Sequence, residues 1–107
     1  MSFDVITLGG ATEDITFYVD DYYLLDNKQN ASGNKLLAFD YGTKVNVTKV
    51  YMTFGGGAAN TAVCFACLGL KTAGLISYGD DDRGRKIIQN LKKAKVNTGL
   101  AKRIKGE

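Results

Sequence analysis

Three glycines followed by two alanines and an asparagine, Gly55-Gly56-Gly57-Ala58-Ala59-Asn60, stand between an alternating stretch and an apolar, Ala-rich one. That places them between a strand and the N-terminus of a helix, where the first amide N–H groups lack intrahelical acceptors and glycine lets a ligand approach the backbone. Anionic or hydroxyl-bearing ligands suit such a place. Glycine before a helix is also what close helix-to-strand packing requires, so both readings stay open. No Gly-Lys-Ser/Thr follows, which excludes a Walker loop. In Gly55-x-Gly57-x-x-Asn60 an Asn stands where the dinucleotide fingerprint needs its third glycine. Asp14 lies just past Gly9-Gly10 at the end of the first apolar run, the crevice position where open α/β sheets bind ligands. A carboxylate accepting from two vicinal hydroxyls, with a carboxamide such as Asn60 on a nearby helix start, is a constellation that reads a polyol. A turn or helix-cap aspartate is the plain alternative for Asp14.

Other chemistry-bearing groups read more simply. Asp80-Asp81-Asp82 lacks the spread of ligands and the closing Glu of a calcium loop, so it reads as a turn and helix N-cap. Cys64 and Cys67 come without any His and without a second pair, too few ligands for tetrahedral zinc. They read as small apolar residues on one helix face, with a redox C-x-x-C pair as the alternative. Asn30-Ala-Ser and Asn46-Val-Thr match the glycosylation pattern, but no secretion signal accompanies them.

The elements that must position these groups follow from periodicity. Residues 3–8 form a β-branched run ending at Gly9-Gly10, the pattern of a buried strand entering a tight turn. Residues 14–19 and parts of 36–41 and 45–54 alternate in polarity around a polar, Gly-containing stretch at 26–34, which predicts half-exposed antiparallel strands. Residues 58–68 predict a buried helix closed by Gly69, 72–78 a buried strand, and 83–95 an amphipathic helix. Strand, helix, strand, helix is the grammar of an α/β fold, interrupted here by an antiparallel insertion.

The 107 residues suffice for one modest domain. The composition, 45% hydrophobic and 23% charged, excludes a disordered or fibrous chain. Residues 83–107 hold nine Lys/Arg and one acid, whereas 1–82 hold five Lys and ten acids. The basic residues alternate at helical spacing with Ile87, Ile88 and Leu91, so they read as the wet face of a helix rather than a nucleic-acid surface. No apolar run is long enough for a membrane span, and the expected compartment is the cytoplasm. The run Lys102–Glu107 looks like the start of another strand, so the C-terminus is expected to be a cut.

Gly55-Gly56-Gly57-Ala58-Ala59-Asn60-Thr61-Ala62, with Gly69 and Gly79 at fixed offsets, resembles the N-terminal signature of the ribokinase-like (pfkB) carbohydrate kinases, every constrained position being met. Asp4-Val5-Ile6-Thr7-Leu8-Gly9-Gly10 looks like that family's first strand, and Gly79-Asp80-Asp81-Asp82-Arg83-Gly84 resembles its Gly-Asp-Asp-x-x-Gly turn. The resemblance implies a Rossmann-like α/β domain, of which residues 1–107 are the N-terminal part, with a β-sheet lid at about 15–54 that often doubles as a dimer interface. It implies that Asp14 and Asn60 bind sugar hydroxyls, that the Gly56 and Gly57 backbone lines the same pocket, and that Thr12 stands where an Asn is common. Gly57 likewise stands where a Lys is common, which separates the chain from ribokinase's own pattern.

The family's second signature, a downstream Gly-Ala-Gly-Asp segment carrying the catalytic base, is not in this sequence, nor is the nucleotide site. The parent is therefore expected to be an ATP- and Mg2+-dependent kinase of a sugar, sugar acid or nucleoside, phosphorylating a hydroxymethyl group. This chain is expected to carry no catalytic residue, to bind no ATP or metal, and to show no kinase activity alone. Expected partners are the acceptor and a second copy, with no nucleic acid and no membrane. The rival reading is a non-catalytic, truncated binding or dimerisation module.

Overall fold

The computed structural model describes residues 2–29 and 31–106; Asn30 of the first glycosylation pattern and Glu107 of the final run lie outside them. The chain forms two compact units, one of Met1–Asp14 with Met52–Glu107 and one of Ile15–Tyr51. In the first unit, β1 (Val5–Leu8) pairs in parallel with β6 (Thr72–Leu75), Val5 opposite Thr72 and Leu8 opposite Leu75. A side-chain clamp fixes the start of this pair, the Lys71 amide donating to the Asp4 carboxylate at 2.8 Å. The predicted strand at 72–78 is divided at Ile76 because its hydrogen-bonding partner changes there. β6 faces β1 on one side and Asn97 on the other, whereas β7 (Ser77–Gly79) pairs in parallel with β8 (Lys102–Ile104). The Lys102 amide donates to Ile76 O between the two arrangements.

Helix α1 (Gly57–Cys67) lies on β1 and β6 through its alanines: Ala58, Ala59 and Ala62 are buried, and small side chains permit the close approach. Thr7 ties strand to helix, its hydroxyl donating to Ala58 O at 2.9 Å in a buried setting. The C-terminus ends as the sequence predicts, in a Schellman motif with Gly69 N donating to Ala66 O and Leu70 N to Phe65 O. Cys64 and Cys67 depart from expectation, for both are exposed. They fall on the outward stripe with Asn60, Thr61 and Leu68, because the alanine face claims the sheet.

Helix α2 (Asp82–Lys93) packs on β7 and buries Ile87 and Leu91, which join Ile76, Val96 and the α1 alanines in the core. Asp81 caps it, its carboxylate accepting from Gly84 N at 2.7 Å. Gly84 is required by contact: a Cβ there would stand 2.0 Å from the Gly79 carbonyl oxygen. Gly84→Ala is expected to lower stability by about 3 kcal/mol or more, since backbone cannot yield as a side chain does, and a fall in the urea midpoint measures it. The helix stops at Lys93, short of the predicted 95, in a second Schellman motif whose left-handed residue is Lys95 at φ 63°. Lys95→Gly is expected to raise stability by about 0.5–1 kcal/mol, the relieved left-handed strain exceeding the added chain entropy. An unchanged thermal midpoint contradicts this.

The chain leaves the first unit through β2 (Thr12–Val19) and returns through β5 (Val47–Gly55), and these two strands pair with each other. In the second unit Thr48 Oγ1 donates to Tyr18 O, and the Tyr18 and Tyr51 rings meet edge-on at 5.6 Å. β3 (Tyr23–Asp26) and β4 (Lys35–Ala38) form an antiparallel hairpin, Tyr23 opposite Ala38 and Asp26 opposite Lys35. The antiparallel insertion after the first strand is thus as read, although the unit ends at Tyr51 rather than 54 because the end of β5 belongs to the approach to α1. The expected half-burial is not met. Among the described residues of 15–51 none is buried, and Leu24, Leu25, Leu36 and Leu37 are each about half exposed, so successive side chains on both faces stay open.

Candidate functional site

β2 alternates, so Thr12 and Asp14 project to one face and Glu13 to the other. On the first face they meet the end of β5. A Cβ at Gly55 would stand 2.6 Å from Asp14 Oδ2 and 3.2 Å from Thr12 Oγ1. A carboxylate and a hydroxyl are therefore gathered directly over a glycine backbone, and any side chain at residue 55 would displace them. Gly55 was legible only as one member of a glycine run; that it makes room for Asp14 has no separate sequence signal.

The next two glycines differ. Gly56 adopts φ 94°, ψ 142°, and a Cβ there would lie 2.5 Å from Gly10 O and 2.7 Å from Ala11 Cα. Gly57 has nothing within 4 Å of that position and is exposed. Two of the helix-start amides are already engaged, Ala58 N and Ala59 N donating to Gly10 O at 3.1 and 3.3 Å. The open helix start is thereby narrowed to the backbone around Gly57. Gly10 acts here through its carbonyl, which residue type does not reveal.

Asn60 is exposed and borders a cavity of about 390 Å³ with Thr53, Phe54, Ala59, Val63 and Asn90. Thr12, Asp14 and Gly57 do not line that cavity. The structure thus gathers Thr12 and Asp14 at Gly55 and sets Asn60 over an adjoining space.

The acidic run disperses. Asp80 pairs with Arg103 at 3.5 Å, Asp81 caps α2, and Asp82 pairs with Arg85. The Arg85 guanidinium holds the Asp82 carboxyl below the usual carboxylate range, through its hydrogen bond first and its charge second. A lowered pKa contributes stability above the ordinary carboxylate range and loses it as pH falls through the folded value, but both groups are exposed and water screens the effect. Among the described residues no group of three or more His, Cys, Asp or Glu could hold a metal ion, and no helix is long and apolar enough to cross a membrane.

A parallel strand pair with a glycine-opened helix, an antiparallel insertion after the first strand, and a carboxylate on the strand leading into that insertion make up an α/β fold. Solved structures agree with it. The chain resembles a nucleoside kinase of Methanocaldococcus jannaschii described as an archaeal member of the ribokinase family, with 21% identity and a TM-score of 0.69 over 96% of this chain and 29% of that one. A ribokinase from Cryptococcus neoformans var. grubii serotype A in complex with ADP gives 22% and 0.71 over 96% and 27%. A fructokinase of Halothermothrix orenii gives 23% and 0.62 over 94% and 29%. The chain spans less than a third of the length of each. No curated protein matches the sequence. The pfkB family of carbohydrate kinases matches residues 25–107, and the chain belongs to that family.

Proposed function

We propose that this chain is the N-terminal acceptor-binding segment of an ATP-dependent kinase that phosphorylates a hydroxymethyl group of a sugar, sugar acid or nucleoside in the cytoplasm. The observation that carries this is the Asp14 carboxylate and Thr12 hydroxyl held together over Gly55, beside the open backbone at Gly57. Asp14 accepts hydrogen bonds from two acceptor hydroxyls, Thr12 supplies a further polar contact, the Gly56–Gly57 backbone borders the acceptor, and Asn60 reaches it from α1. Phosphoryl transfer also needs positioned phosphates, a metal and a base. Those groups, with ATP and Mg2+, belong to the remainder of the parent protein in this reading. The test is a coupled ATP-turnover assay on the protein expressed from its complete gene against sugars, sugar acids and nucleosides. Turnover dependent on one of these supports the reading, and turnover dependent on none refutes it.

Residues 15–54 form the lid in this reading, and the lid sheet of a second copy covers its apolar face. The exposed Phe17, Leu37, Phe39, Val45 and Val47, with the half-buried Val19, border one cavity of that sheet and support this. Leu37→Glu with Phe39→Glu is expected to convert a dimer to a monomer in light scattering. The same exposed face favours the second reading, a dimerisation module without catalysis, which the turnover assay separates from the first.

A further inference from the structure

Opposite Asp14, the Glu13 side chain is only 5% exposed, and its Oε2 is buried with no hydrogen-bond partner. Two cations one helical turn apart on α2 straddle it. Arg83 Nε lies 3.8 Å from Oε2 and Lys86 Nζ 3.9 Å from Oε1, both on largely exposed stems. Each distance exceeds a hydrogen bond, so attraction between charges rather than directed bonding holds the carboxylate. A charge is seldom buried without compensation, and here the compensation comes from an element distant in sequence. Because side chains alternate along β2, a slip of one residue would expose Glu13 and turn Asp14 inward.

The geometry points to Glu13 as a positioning residue: its buried cluster with Arg83 and Lys86 locks the register of β2, so that Thr12 and Asp14 face Gly55 and present their oxygens to the acceptor. This rests on the reading of Asp14 as the acceptor-binding carboxylate. Glu13 touches no acceptor itself and acts through its neighbours on the strand. Arg83 falls at an unconstrained position of the Gly-Asp-Asp-x-x-Gly turn, and Glu13 and Lys86 lie outside the quoted motifs.

The test uses the complete gene product at saturating ATP. Arg83→Met with Lys86→Met leaves Glu13 buried without compensation, which drives β2 to release it. The expected result is an acceptor KM raised about tenfold or more with the ATP KM unchanged. Adding Glu13→Leu removes the buried charge and is expected to return the acceptor KM to within about threefold of the parent value. A merely structural role lowers the active fraction and kcat without moving KM in this way. Asp14→Ala serves as the control. If Asp14→Ala raises the acceptor KM and the double variant does not, positioning by Glu13 is wrong while the site reading stands. If neither raises it, both are wrong. Failure of the triple variant to recover means that Arg83 and Lys86 act on the acceptor directly, which also overturns the proposal. Should the double variant not fold, Glu13→Gln decides, with an acceptor KM raised about threefold expected and an unchanged one contrary.

Discussion

Asp14→Ala is expected to lower acceptor kcat/KM by about 10²–10⁴-fold while leaving the fold intact. The magnitude follows from two hydrogen bonds between acceptor hydroxyls and a carboxylate, each about 1.5–3 kcal/mol, with about 1.4 kcal/mol per factor of ten. The fold survives because Asp14 is exposed and its carboxylate contacts the glycine end of β5 rather than the core. Asp14→Asn keeps the shape and one accepting oxygen, so its loss should fall between that of alanine and the parent. Steady-state kinetics at saturating ATP, with circular dichroism of each variant, checks this. Parent-like KM and kcat for Asp14→Ala remove Asp14 from the site.

The second large effect separates adjacent glycines. Gly56→Ala forces an L-residue into φ 94°, ψ 142° and drives its Cβ against the Gly10 carbonyl. Backbone strain of about 1–3 kcal/mol is joined by loss of the Ala58 and Ala59 amide bonds to Gly10 O, each about 1 kcal/mol. The expected loss is about 3–5 kcal/mol, a large fraction of the stability of a domain this size. Gly57→Ala meets nothing within 4 Å and is expected to raise stability by up to about 1 kcal/mol, by reducing the freedom of the unfolded chain. In the proposed reading it should nevertheless weaken acceptor binding, because its methyl group enters the open space over the Gly57 backbone. Urea midpoints and acceptor affinity for the two variants therefore move in different combinations. Equal loss of stability in both would contradict the structure.

The elements that obey one strong local rule were legible before the structure. The β-branched run of β1, the Ala-rich run of α1 ending at Gly69, and the Ile87–Leu91 face of α2 each announce their element, but β1 is not the buried strand its run predicts, for Ile6 and Leu8 stay exposed where no neighbouring element covers them. The pairing of Thr12 with Asp14 follows from alternation alone once β2 is granted. Other features arise from contacts between distant residues and leave no local trace. β3 was missed because Tyr22-Tyr23-Leu24-Leu25 has no polar alternation, and in the structure those side chains are exposed on both faces. The helix stop at Lys95 uses a residue type that seldom adopts a left-handed conformation. Glu13 carries no sequence signal of its burial, since only the arrival of Arg83 and Lys86 from α2 makes that burial tolerable. The carbonyl of Gly10, which occupies two amides of the helix start, is invisible to any reading by side chain.

The parallel pairing of β1 with β6 sets a timetable for the molecule's birth. Asp4 and Lys71, which clamp the pair, are 67 residues apart in sequence. At about 5–20 residues per second, β1 leaves the ribosome several seconds before its partner strand exists. Closing so long a connection costs about 4 kcal/mol of chain entropy, so the local contacts of β6, β7 and α2 should assemble before β1 docks. Throughout that interval the backbone N–H and C=O groups of Val5–Leu8 lack their partner strand, which leaves them open to pairing with other chains.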